Sequence, residues 1–254
     1  MIRFKNLTLG YGSRTLIEGL TAHIKCGELT ALVGRNGTGK STLLRSIVGL
    51  GDKCEGEILL NGKSIDSLST AELATTVAFV STEKVRIANL RCRDVVALGR
   101  APYTNWIGRM QAQDEEIVMR SMELVGMSDY ADKTMDKMSD GECQRIMIAR
   151  ALAQQTPIIL LDEPTAFLDM PNRYELCHLL QRLTHQEQKC ILFSTHELDI
   201  ATSLCDSIAL IAPPQLHLLP TDEMVISGLI EQLFLGSSVC FDPTTRSVSK
   251  KQGC

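Results

Sequence analysis

The chain has 254 residues, which suits one large α/β domain or a core carrying a smaller inserted lobe. Hydrophobic residues make up 44% and charged residues 22%, ordinary proportions for a globular protein. A formal net charge of −4 leaves no broad basic surface, so nucleic acid is not an expected partner.

No stretch approaches the ~18 consecutive apolar residues of a membrane-spanning helix. The densest apolar runs, Ile158–Leu161 and Ile208–Ala212, are the length of strands. The opening Met1-Ile2-Arg3-Phe4-Lys5 lacks the apolar core of a signal peptide. The expectation is a soluble chain, with any membrane-spanning part supplied by another protein. Nine cysteines, without a C-x-x-C pair, read as reduced thiols, several of them in the core.

Partial alternation at Ile2, Phe4, Leu7 and Leu9 predicts a strand, and Thr15–Leu20 a second. Leu29–Val33 is a short apolar strand ending at Gly34. Ser41–Leu50 has helical spacing, stopped by Gly49 and Gly51. Glu57–Leu60 is a strand leading into an Asn61-Gly62 turn. From Asp94 to Ala153 the pattern is mostly helical: Asp94 caps one helix, Asp114–Val125 forms another, and Ser139 caps a third running to Ala153. Strands return at Ile158–Leu161 and Cys190–Ser194, with an amphipathic helix over Asn172–Leu183 between them. A terminal hairpin is expected around Asp242-Pro243-Thr244. Strand–helix–strand order argues for an α/β fold with a mostly parallel sheet, an N-terminal antiparallel β region and an inserted helical lobe. The core would comprise about 1–85 and 155–254, and the lobe about 86–154.

Gly34-Arg35-Asn36-Gly37-Thr38-Gly39-Lys40-Ser41 fits the phosphate-loop pattern G-x-x-x-x-G-K-[ST]. Glycines let the backbone wrap round phosphate oxygens, and the helix that follows turns its positive end toward them. In this arrangement Lys40 reaches the β- and γ-phosphates and Ser41 ligates Mg²⁺, with Thr42 beside them. Ile158-Ile159-Leu160-Leu161-Asp162-Glu163 is the companion element: a buried strand delivering two acids at its C-terminal end. Asp162 is expected in the Mg²⁺ shell, and Glu163 as the group that polarises the attacking water.

These two elements occur together with Met138-Ser139-Asp140-Gly141-Glu142, Ala166-Phe167-Leu168-Asp169 and Ser194-Thr195-His196. In that order they resemble the phosphate loop, signature, acidic strand, D-loop and switch histidine of ATP-binding-cassette ATPases, over residues 2–212. The resemblance implies a P-loop NTPase core and a head-to-tail dimer holding two ATP molecules. Each ATP would touch the phosphate loop of one copy and Ser139, Asp140, Gly141 and Glu142 of the other. It places Tyr11 against adenine, Asp169 in the D-loop and His196 at the γ-phosphate. Taken alone, Ser139 reads as a helix cap and His196 as an ordinary strand-end histidine.

The sequence departs from the family pattern twice. Asp140 and Glu142 stand where the signature usually has Gly and Gln, so their carboxylates are expected to point away from phosphate. In Phe79-Val80-Ser81-Thr82-Glu83, Thr82 aligns with a glutamine that senses Mg²⁺ and the membrane partner. Either Thr82, acting through a water, or Glu83 would take that role.

Asp94–Tyr103, with its Gly99-Arg100-Ala101-Pro102 turn, and Gly108-Arg109 resemble importers of iron–siderophore complexes, haem and cobalamin. That implies two copies beneath integral-membrane permease subunits at the cytoplasmic face of the membrane, and indirectly an extracytoplasmic substrate-binding protein. Trp106 reads either as a loop anchor or as a permease contact. Arg86, Arg91, Arg93, Arg100 and Arg109, opposed within the segment only by Asp94, form a charge run beside the expected docking groove. Two other readings are a non-transport cassette ATPase, such as an iron–sulfur assembly subunit, and an ATP-dependent dimerisation switch with little hydrolysis.

Overall fold

The computed structural model describes residues 1–11, 14–51, 53–83, 88–104 and 110–250, with the side chains of Tyr11, Lys53 and Cys54 outside that description. The first elements are β1 (Ile2–Tyr11), β2 (Arg14–Ile24), β3 (Leu29–Gly34), α1 (Lys40–Ile47), β4 (Lys53–Leu60) and β5 (Lys63–Ser64). Next come α2 (Thr70–Thr76), β6 (Val77–Val80), α3 (Cys92–Ala97), α4 (Ala112–Leu124), α5 (Asp140–Ala153) and β7 (Ile158–Leu161). The chain continues with α6 (Met170–Glu187), β8 (Cys190–Thr195), α7 (Leu198–Leu204) and β9 (Ser207–Ala212). It closes with β10 (Gln215–Pro220), α8 (Thr221–Ile226), β11 (Val239–Asp242) and β12 (Ser247–Lys250). Two compact units result, Met1–Ser67 with Leu180–Cys254, and Leu68–Leu179, the division falling within α6. The expected helical lobe, 86–154, lies inside the second unit, which also contains β6 and β7.

In the first unit an antiparallel sheet runs in the order β2-β1-β4-β5. The alternation of β1 breaks between Phe4 and Leu7 because the register shifts there, with Asn6 at φ 48°. Ile2, Phe4, Leu7 and Leu9 nonetheless all reach the core. The second sheet has β3 parallel to both β8 and β9, with β10 antiparallel to β9. All six residues of β3 and all six of β8 are buried, the pattern of strands covered on both faces.

In the second unit β6 and β7 pair in parallel, α2 and α5 pack on β6, and α3 and α4 pack on α5. Helix α2, absent from the sequence reading, opens with a capping box in which Ser69 and Glu72 satisfy each other's backbone amides. The helix predicted to be capped by Asp94 begins earlier: Arg91 is the N-cap and Asp94 lies in the first turn. The end of α5 is tied to the sheet by Arg150, which donates to the Phe79 carbonyl, and by Gln154, which donates to those of Ala74 and Val77.

The arginine run is not a uniform solvated face. Arg100 is only 5% exposed. Its Nε donates to Asp114 at 2.9 Å, and its Nη1 donates to the Ala153 carbonyl at 2.8 Å and Gln155 at 2.9 Å. The guanidinium also lies over the Tyr103 ring, 4.1 Å from its centroid. Arg100 therefore ties its own turn to the start of α4 and the end of α5. Gly99 is required beside it, because a Cβ there would come within 2.2 Å of the Arg150 carbonyl oxygen. Arg91 and Arg93 both reach Asp132. Opposing charge thus comes from Asp114 and Asp132, beyond the segment. Arg86, Trp106, Gly108 and Arg109 lie outside the described residues.

Candidate functional site

Strand β3 ends at Gly34, and the chain turns through 35–39 into α1. Gly37 has φ 73° and Gly39 φ 105°, in the left-handed region where glycine is free of the Cβ penalty. A Cβ on Gly37 would meet nothing, so backbone conformation alone calls for glycine there. The turn is braced by the Thr38 hydroxyl, which donates to the Arg35 carbonyl at 2.8 Å. Helix α1 has Gly39 as N-cap, no capping side chain and no acidic residue in its first turn. Its leading amides and positive dipole end are therefore arranged to receive an anion.

Lys40 is buried, yet its ammonium stays within the loop. It donates to the Gly34 carbonyl at 3.0 Å and lies 3.0 Å from Nε2 of His196. Strand β8 is buried to its last residue, and His196 emerges exposed just past it. Ser41 and Thr42 are half-buried on the first turn of α1. Arg35 and Asn36 are exposed in the turn.

In the second unit, the buried β7 delivers Asp162, 3% exposed, and then the half-buried Glu163. The Asp162 amide donates to the Val80 carbonyl at 2.8 Å, extending the β6–β7 pairing by one residue. Glu163 adopts φ 49°, a left-handed backbone that a non-glycine residue rarely takes. The Thr82 hydroxyl donates to the Asp162 carbonyl at 3.0 Å, whereas Glu83 is exposed.

Ser139 is the N-cap of α5, as expected, within a full capping box. The Ser139 amide and hydroxyl each donate to Oε2 of Glu142 at 2.8 Å. The Ser139 amide, foremost, holds the Glu142 carboxyl below its ordinary pKa, with the Ser139 and Tyr130 hydroxyls adding to the effect. The carboxylate at this departure from the family pattern is thus folded back onto the cap. Asp140 is half-buried beside it. A Cβ on Gly141 would sit 2.8 Å from Cδ2 of Leu168, the movable end of that side chain. Asp169 follows Leu168 and accepts from the Asn172 amide at 3.0 Å, capping the first turn of α6.

The sequence reading missed the contacts of Thr82 and Arg100 because nothing in spacing links them to Asp162 or Asp114. It also missed the capping boxes, although S-x-x-E is a usable signal. Tyr11 continues β1 opposite Arg14, but its side chain is outside the described residues. Between α3 and α4 lies a cavity of about 340 Å³, lined by Arg93, Asp94, Ala97, Met110, Glu115, Val118 and Met119. Among the described residues, no helix is long and apolar enough to cross a membrane.

Residues 17–166 match the family profile described as ABC transporter. The petrobactin import ATP-binding protein FpuD of Bacillus anthracis is 37% identical over 91% of this chain and 85% of its own. The ferric enterobactin transport ATP-binding protein FepC of Escherichia coli is 36% identical over 79% of this chain and 74% of its own. The dimeric structure of a bacterial ABC transporter cassette superposes with a TM-score of 0.77 at 27% identity, covering 87% of this chain and 99% of that one.

Proposed function

This chain belongs to the ABC transporter ATPase family, and we propose that it is the ATP-hydrolysing subunit of an importer for iron–siderophore complexes. The observation that carries the ATPase reading is the turn from Gly34 to Ser41, a glycine-shaped anion cradle with a buried lysine inside it. The importer reading is supported by relatives named for petrobactin import and ferric enterobactin transport.

In this reading the amides of 37–41 and the Lys40 ammonium hold the β- and γ-phosphates, and Tyr11 stacks on adenine. The Ser41 hydroxyl and the Asp162 carboxylate are hard oxygen donors that fit Mg²⁺, which when bound neutralises phosphate charge. Glu163 orients a water and takes its proton as the oxygen attacks the γ-phosphorus. The bond to the bridging oxygen breaks and ADP leaves. His196 stabilises the charge gathering on the γ-phosphoryl oxygens. Ser139 and Gly141, at the positive end of α5, contact the γ-phosphate of an ATP held by a second copy. A structurally similar cassette that is dimeric supports an assembly of two copies. Asp140 and Glu142 contribute through the cap, and Asp169 through the first turn of α6.

The permease contact is assigned to the cavity between α3 and α4, where Val118 and Met119 give an apolar wall and Arg93, Asp94 and Glu115 a charged rim. Such a lining suits an amphipathic segment of a membrane subunit. The chain would then lie at the cytoplasmic face of the membrane, with a substrate-binding protein on the other side.

The test is a pull-down of tagged Glu163→Gln from gently solubilised native membranes, with partners identified by mass spectrometry. A polytopic permease is the expected partner. Recovery of soluble partners alone would overturn the importer reading in favour of a non-transport ATPase.

A further inference from the structure

We propose that the Thr82 hydroxyl is a positioning group for Glu163, acting through the peptide that joins Asp162 to Glu163. The inference rests on the assignment of Glu163 made above. The carbonyl of that peptide accepts from Thr82 Oγ1 at 3.0 Å, and the Asp162 amide is bound to Val80 at 2.8 Å. The peptide entering Asp162 is therefore held by β6, and the next one, entering Glu163, by the Thr82 hydroxyl. Glu163 itself sits at φ 49°. A side-chain-bearing residue is disfavoured in that region, and such a conformation lasts only where its surroundings hold it. On the far side, the Ala166 amide donates to the Glu163 carbonyl at 3.2 Å. Loss of the Thr82 bond removes one hold on the leading peptide, and with it part of the aim of the Glu163 carboxylate.

This reading gives Thr82 a direct contact at the family's glutamine position. The Thr82 hydroxyl sits on Cβ, short enough to meet the strand-end carbonyl directly. The route from this loop to the chemistry therefore runs through the backbone of the acidic strand. Movement of residue 82 alters the aim of Glu163 while leaving phosphate binding to 34–41 intact.

The experiment compares Thr82→Val, which keeps the branched shape and removes the donor, with Thr82→Ser, which keeps the donor. Steady-state ATP hydrolysis and binding of a fluorescent ATP analogue are measured on the full chain. Thr82→Val is expected to lower kcat roughly tenfold, with KM and nucleotide affinity within about twofold of the parent. Thr82→Ser is expected to restore kcat to within about twofold. In a Glu163→Gln background, Thr82→Val should add less than about a twofold effect, since the group it positions is already neutralised. Parent-like kcat in Thr82→Val, failure of Thr82→Ser to restore it, or full multiplication of the two losses would each overturn the proposal. Should Thr82→Val not fold, Thr82→Ala against Thr82→Ser makes the same comparison. Parent-rate hydrolysis by Glu163→Gln alone would remove the assignment of Glu163 itself. A normal loss in Glu163→Gln with an inert Thr82→Val removes only the positioning role.

Discussion

The Lys40 ammonium lies 3.0 Å from Nε2 of His196, joining the start of α1 to the end of β8 across 156 residues of chain. Their roles separate on substitution. Lys40→Ala removes a point charge from the cradle and is expected to weaken ATP binding about 100-fold, read by calorimetry or a fluorescent analogue. His196→Ala is expected to leave affinity within about threefold while lowering kcat at least roughly tenfold, because its contribution falls in the transition state. Equal losses of affinity in both variants would mean that the histidine serves ground-state binding.

Glu142 places a carboxylate at the start of α5, where the proposed partner phosphate is also anionic. Glu142→Gln keeps the length and gives up the charge. The cap is expected to weaken by about 0.3–1 kcal/mol, a small drop in Tm by calorimetry. ATP-driven dimerisation, followed by light scattering in a Glu163→Gln background, should then need less ATP. A dimer that requires more ATP would mean that the carboxylate serves the interface.

Arg100 is a buried charge whose partners were assembled by folding. Arg100→Met leaves Asp114 buried opposite an apolar side chain and is expected to cost roughly 3–5 kcal/mol in urea unfolding. Gly99→Ala drives a Cβ against backbone, which cannot swing aside, and should cost about 1–3 kcal/mol. Were Arg100→Met as stable as the parent, the guanidinium would be dispensable to the lobe.

Asp114 gives the protein part of its acid sensitivity. The Gln111 amide and then the Arg100 guanidinium hold its carboxyl below the ordinary value. A depressed folded-state pKa adds stability above the unfolded value, about 4, and that stability is lost as pH falls through the folded one. The stability gap between the parent and Asp114→Asn should therefore be full near about pH 7 and shrink below about pH 4. Urea midpoints across that range read it. A gap independent of pH would assign the loss to packing alone.

Much of this architecture could be read from the chain alone, for identifiable reasons. Burial of β3, β7 and β8 on both faces writes continuous apolar runs, and Leu176, Leu179, Leu180 and Leu183 of α6 keep helical spacing because one face is buried. Helix α5 ran as predicted because its cap is Ser139 and the box closes within three residues. Boundaries slipped where caps were unconventional: α3 starts from Arg91, and α1 ends at Ile47, ahead of the expected Leu50.

What the sequence by itself determined is the local conformation of contiguous residues. The phosphate loop, the acidic strand end and the capped signature each depend on local backbone geometry, which a few neighbouring residues specify. Only the tertiary structure decided which distant groups those elements meet. Thr82 reaches Asp162 across 80 residues, Arg100 reaches Ala153 across 53, and Leu168 fills the space that Gly141 leaves. A hydrogen bond of 3 Å or a close packing contact carries no sequence period when its partners sit on different elements. The fold alone brings them together.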